Sequence, residues 1–328
     1  MKKILNLFLL FILSFSIFSC KNKEEKELTI TMKDDSLKIA QFADLHFGIE
    51  GEMYHNKDNA KTIRFMDYIV ENSKPDLIVL SGDNIMNSGV EGMKEMVEII
   101  EKYKTPWTLI YGNHDAEYHF YNHSKKEVSN YLANLDSEYL LYKEGYIDDS
   151  KENRYGNFSI SILNEKKDLL GAILLMDSGT YDYDLEKYQE ITSGQINWYK
   201  EEITKLNSNY IKQKNNEYEV IPSILFNHIP LKDFHSAYNE ENEIIIPQEN
   251  KFRPNNDKNE SEFFKAIKEM NSTKAFFVGH YHVMYYQVKV DDIVLGFAPQ
   301  TSRNKMAYVY DFNSKLNFET ITINNIEE

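Results

Sequence analysis

From Leu37 onward the chain alternates short apolar runs with amphipathic stretches, and this alternation restricts it to an α/β architecture. Residues 37–43 read as a strand. Residues 59–72 follow as a helix, with Ile63, Met66, Ile69 and Val70 at helical spacing and Pro75 as its stop. Residues 76–81 form a buried strand, 93–103 a helix and 107–111 another strand, an order that predicts βαβ units and a mainly parallel sheet. The middle changes character. Residues 155–163 and 169–176 flank the polar turn 164–168 and predict a hairpin. A helix is expected over 193–206 with Ser193 as its N-cap, then a surface connection over 207–219. Strands are expected at 221–226 and 275–278, with a helix at 260–270 between them. Residues 284–290, 293–298 and 306–311 read as antiparallel strands. Segment 231–259 is long, polar and without periodicity, which predicts a functional loop.

The N-terminus differs in kind. Lys2 and Lys3 precede an apolar run from Ile4 to Phe18, followed by Ser19-Cys20. This is the order of a signal peptide, and the run is too short for a membrane span. Ile17-Phe18-Ser19-Cys20 resembles a bacterial lipobox, in which the cysteine is lipidated and becomes the first mature residue. The expectation is therefore an exported lipoprotein, anchored to a membrane through lipid on Cys20. Residues 1–19 are its signal peptide, 20–33 a polar tether and 34–328 one domain. Cys20 is the chain's only cysteine, so no intramolecular disulfide forms. A formal net charge of −15 argues against nonspecific binding to nucleic acid or to an anionic membrane surface.

Five polar clusters lie where strands end: Asp44-Leu45-His46, Gly82-Asp83-Asn84, Gly112-Asn113-His114-Asp115, Asn227-His228 and Gly279-His280-Tyr281-His282. Ligands of open α/β sheets collect at the carboxyl ends of strands, so one fold can bring these loops to one edge. Their side chains offer carboxylate, amide and imidazole donors and no thiolate. That set suits two Mn, Fe, Zn or similar ions rather than a structural zinc site. Taken singly, Asp-x-His or Gly-Asp-Asn is an ordinary turn. The order and the strand context carry the weight.

That order resembles the calcineurin-like metallophosphoesterase superfamily over Leu37 to His282. Phe42 to Gly48, Ser81 to Ile85, Tyr111 to Asp115 and Asn227 to Leu231 look closer to single-domain relatives of purple acid phosphatases. The resemblance implies two packed mixed β-sheets flanked by helices, and hydrolysis of phosphate esters by a hydroxide activated between two metals. Asp44, His46 and His282 would bind the first metal, Asp83 would bridge, and Asn113, His228 and His280 would bind the second. His114 would act as acid or charge stabiliser without ligating, and Asp115 would orient it. The substrate would be a phosphoester, with monoesters favoured. A phosphodiesterase or nucleotide hydrolase, or a non-catalytic surface lipoprotein with a degenerate site, are the alternatives.

The chain departs from purple acid phosphatases at Met86, where they carry a tyrosine ligand, so a ferric–tyrosinate site is not supported. Tyr281 stands between the last two histidines, where an acidic residue is common. His55, His119, His123 and His235 lie outside the clusters and read as surface or loop residues, with His119 and His123 the better candidates for substrate contacts. Asp177 and Ser178 end a strand and read as a turn. Arg64, Arg154 and Arg253 are candidates for phosphate contact, with a surface role as the default.

Overall fold

A computed structural model describes residues 27–48, 59–86, 88–115, 125–148, 154–182, 184–213, 219–239, 241–248, 260–304 and 306–324. The expected signal peptide, Cys20, His55, His119, His123 and Arg253 lie outside the described residues.

Two mixed sheets carry the fold. In the five-stranded sheet, Leu37–Phe42, Leu77–Ser81 and Trp107–Ile110 run parallel, as the βαβ pattern predicts. Met306–Phe312 pairs antiparallel with Leu37–Phe42, and Phe318–Asn324 closes that side. The nine-stranded sheet holds, in spatial order, Thr29–Thr31, Arg154–Leu163, Leu169–Leu175, Ser223–Phe226, Thr273–Val278, Ile293–Phe297, Gln287–Val290 and Glu243–Ile246, with Tyr146–Asp148 beside Arg154–Leu163. Arg154–Leu163 and Leu169–Leu175 form the expected hairpin. Helices Asn59–Ser73 and Gly89–Glu101 lie in the crossovers between the parallel strands, and Ser193–Gln213 and Glu262–Met270 precede the strands Ser223–Phe226 and Thr273–Val278.

Alternation along the central strands builds two cores. Phe277 points between the sheets and stacks on Tyr310 of the other sheet, with ring centroids 4.0 Å apart. Its neighbour Phe276 points the other way, under Tyr199 and Ile203 of the helix Ser193–Gln213 and Phe263 of the helix Glu262–Met270. Each such fully buried ring contributes roughly 1.5–3 kcal/mol.

Several expectations are corrected. The tether does not extend to residue 33: Thr29–Thr31 pairs parallel with Ser161–Leu163, and Leu28, Ile30 and Met32 are buried. The helix expected to end near 206 continues to Gln213, because Leu206 and Tyr210 continue its buried stripe. Its cap is Thr192, not Ser193. The Gln195 backbone N–H donates to Thr192 Oγ1 and the Thr192 N–H donates to Gln195 Oε1, a capping box. The three strands expected as antiparallel are so, Gln287–Val290 with Ile293–Phe297 in one sheet and Met306–Phe312 with Leu37–Phe42 in the other. Segment 231–259 is not all loop, since it holds the helix Lys232–Ala237 and the edge strand Glu243–Ile246. The helix Lys125–Ala133 is an element that the periodicity above does not mark.

Candidate metal centre

The five clusters meet where the carboxyl ends of the two sheets face one another. Leu37–Phe42, Leu77–Ser81 and Trp107–Ile110 feed the loops with Asp44 and His46, Asp83, and Asn113 to Asp115. Ser223–Phe226 and Thr273–Val278 of the other sheet feed His228 and His280 to His282.

The first two loops lie side by side. Backbone N–H groups of Asp44, His46 and Phe47 donate to the carbonyls of Gly82, Asp83 and Asn84, and that of Met86 donates to Phe47. Asp44, His46 and Asp83 adopt left-handed φ values of 55°, 51° and 51°, and His280 of 75°. Such conformations are uncommon for residues with a Cβ and persist only where surrounding structure holds them, as at functional sites. Gly82, at φ +93°, passes so close to His228 that a Cβ there would overlap the imidazole. A Cβ on Gly112 would likewise overlap Asp83. These two glycines set how tightly the loops close.

The donor atoms fall into two groups that share one residue. Asp44, His46, Asp83 and His282 each bring one candidate ligand atom, all within 4.8 Å of one another, and Asp83, His228 and His280 do the same. His46 Nε2 lies 3.0 Å from His282 Nε2, and His282 Nε2 lies 3.3 Å from Asp44 Oδ1. His228 Nε2 stands 3.2 Å from Asp83 Oδ2 and 3.9 Å from Asp44 Oδ1. Its Nδ1 donates to the Ser81 carbonyl at 2.9 Å, which fixes the tautomer and leaves Nε2 facing the carboxylates. Asn113 Oδ1 lies 3.0 Å from His280 Nδ1, adding an oxygen to the second group. The His280 N–H donates to Asp44, linking the groups across the sheets.

This set fits metal ions. Asp44 and Asp83 are both 1% exposed, and two carboxylates buried that deeply are costly without cations. The imidazoles around them include neutral ones. Burial pushes His46 below its ordinary value, against the pull of Asp83 and Asp44. Burial and the neighbouring His228 push His280 down to about 4. His228 goes the other way: burial lowers it, but Asp83 and Asp44 outweigh burial and raise it to about 9. Burial raises Asp83, yet His228, His46 and His114 hold it well below the carboxylate range.

His114 stands beside the first group, its ring 5.1 Å from that of His46, and its backbone N–H donates to Asp83 Oδ1 at 2.8 Å. Asp115 does not stand behind it. Its oxygens accept from the Ile85 and Gly112 backbone and from Asn84 Nδ2, so it ties the third loop to the second. Burial and the nearby Asp83 raise its carboxyl to about 7.

Other candidates sit elsewhere. Arg154 is buried and donates to the Glu190 and Asp177 carbonyls, which removes it as a phosphate contact. Arg64 is exposed on the helix Asn59–Ser73. His235 packs edge-on against Tyr281, and burial lowers it. Two residues that no motif revealed border the second group. Tyr188, from the short hairpin pairing Tyr181–Asp182 with Lys187–Tyr188, packs edge-on against His280 at 4.3 Å. Ser178 Oγ accepts from the Ile229 N–H, next to His228.

Comparisons with known proteins bear on this geometry. A family model described as "Calcineurin-like phosphoesterase" matches residues 37–284. "Probable inactive purple acid phosphatase 29" of Arabidopsis thaliana is 28% identical over 272 residues, covering 75% of this chain and 67% of that protein. "Phosphatase DCR2" of Saccharomyces cerevisiae is 28% identical over 223 residues, covering 61% of this chain and 36% of that one. Among solved structures, a dimetal phosphatase from Danio rerio superposes with a TM-score of 0.52 at 11% identity, covering 88% of this chain and 98% of that one. At that identity the likeness is one of fold.

Proposed function

Because this chain belongs to the calcineurin-like phosphoesterase family, whose members hydrolyse phosphoester bonds, we propose that it is an exported phosphomonoesterase with a dinuclear metal centre. One observation carries the reading: two donor groups share a single buried carboxylate, Asp83. In this reading Asp44, His46 and His282 hold the first ion and Asn113, His228 and His280 the second. Nitrogen and oxygen donors without a thiolate suit Mn, Fe or Zn, and Met86 leaves no tyrosinate. Bound ions supply an activated water and positive charge for the phosphoryl oxygens.

The remaining roles belong to the chain itself. His114 donates a proton to the leaving oxygen or stabilises phosphoryl charge, held there through its backbone bond to Asp83. Asp115 keeps the loops of Asp83 and Asn113 at a fixed separation. The lipobox-like Ile17 to Cys20 supports export and a lipid anchor on Cys20, which puts the reaction at a membrane surface outside the cytoplasm.

The test is turnover of aryl phosphate mono- and diesters by the purified protein with Mn, Fe, Zn or Mg. Monoester turnover that collapses in His114→Ala and Asp83→Ala supports the reading, and faster diester turnover moves it to a phosphodiesterase. No turnover with any metal sinks it. A second reading has one observation behind it, since relatives such as the one from Arabidopsis carry "inactive" in their names. A non-catalytic surface lipoprotein would follow, and metal content near zero in the purified protein would favour it. The complete set of donors favours catalysis.

A further inference from the structure

Behind the second donor group lies a buried ion pair that the proposed chemistry does not use. Lys125 Nζ donates to both oxygens of Asp177, at 2.9 and 2.8 Å, with the two side chains 9% and 0% exposed. Asp177 also accepts from the Tyr155 and Gly179 backbone N–H groups. Its own N–H donates to Asn157, and its carbonyl accepts from Gln195 and Arg154. Every polar atom of Asp177 is thus engaged.

The pair ties a helix to the turn that follows a strand of the nine-stranded sheet. Lys125 opens the helix Lys125–Ala133 and its Nζ sits 5.8 Å from the ring centroid of Tyr111, the residue before Gly112-Asn113-His114. Asp177 follows the strand Leu169–Leu175. Ser178, one residue on, receives the Ile229 N–H at 2.8 Å. Gly179 then turns at φ +89° into Thr180, which exchanges hydrogen bonds with Gln189 and so shapes the hairpin that carries Tyr188 onto His280.

We propose that Lys125 and Asp177 are positioning residues: the ion pair fixes the turn 177–180, and that turn presets His228 through Ser178 and His280 through Tyr188. The proposal rests on the dinuclear reading only where it predicts metal affinity. A pair kept merely for stability could be exchanged for apolar residues with little effect on distant loops. A positioning pair acts where its hydrogen bonds lead, and outer partners of ligating histidines typically govern affinity by 10–100-fold.

The test uses the full chain as Lys125→Met, as Ser178→Ala, which removes only the acceptor of the Ile229 N–H, and as Ile203→Ala, a core truncation in the helix Ser193–Gln213. Hydrogen exchange at the Ile229 amide and Mn titration are measured on each. In Lys125→Met, Ile229 exchange speeds by about tenfold or more relative to the strand Met306–Phe312, and affinity for the second Mn drops on the order of 10–100-fold with the first retained. Ser178→Ala moves both readouts the same way, and does so even if Lys125→Met fails to fold. Changes no larger than those of Ile203→Ala, or none, overturn the proposal. Local loosening at Ile229 in a chain whose wild type binds fewer than two Mn ions supports the positioning role and breaks the dinuclear reading instead.

Discussion

The two donor groups share Asp83 but are held by different means. Asp44 and His46 sit on backbone: left-handed residues in a loop hydrogen-bonded, N–H to carbonyl, along the Gly82–Met86 loop. His228 and His280 are propped through their rings: the Ser81 backbone carbonyl behind one, Tyr188 and Asn113 against the other. The difference extends to protons. Burial keeps His46 below its ordinary value, whereas Asp83 holds His228 up at about 9. A group built on backbone is stiff and ready for an ion. A group built on props, with a protonated imidazole, must give up a proton to bind one.

The largest expected effect falls where the groups meet. Asp83→Ala should cost on the order of 10³-fold or more in kcat and strip both ions, read by phosphate-ester kinetics with elemental analysis. Retained turnover would break the idea of a shared carboxylate. His114→Ala should lower kcat by about 10²–10⁴-fold with metal content unchanged, since it belongs to neither group. Lost metal in that variant would make it a ligand.

Smaller effects separate the groups. Gly82→Ala drives a Cβ into His228, so Mn titration should show the second ion weakened more than the first. Equal weakening would mean that the loops respond as one body. Metal at a hundredfold excess over its Kd should stabilise the fold by about 2.7 kcal/mol per site, read as a rise in Tm over the chelated protein. The proton asymmetry gives the subtlest outcome. His228 in the metal-free chain stays protonated until pH approaches about 9, so affinity for the second ion should climb as pH rises through neutrality. The first ion's affinity should climb less over the same range. Calorimetry in buffers of different ionisation enthalpy reads the released proton.

The same contrast governs what the sequence disclosed. The donors were legible because each sits in a short cluster just after an apolar run, and the strand's end brings it to the sheet edge. Their props were not. Tyr188 reaches His280 from 92 residues away in the chain, and Lys125 meets Asp177 across 52. No local pattern marks either contact. The resemblance implied Asp115 as the residue orienting His114, yet the turn aims its carboxylate at Asn84 and Ile85. Arg154 looked available for phosphate because burial cannot be read from one residue. In the fold, hairpin and βαβ units followed from periodicity. The strand Met306–Phe312 was legible too, but its place was not, because sequence neighbours need not be sheet neighbours and its partners are Leu37–Phe42 and Phe318–Asn324. The alternation of Leu28, Ile30 and Met32 did carry a signal for the first strand, hidden by the charged stretch before it.

The most direct test of the account is the metal stoichiometry of the purified protein and three variants, measured by elemental analysis after Mn loading. Two ions per chain, falling to one in His46→Ala and in His280→Ala and to none in Asp83→Ala, is the predicted result. A wild-type chain holding one ion or none, or an Asp83→Ala chain that keeps two, would contradict it.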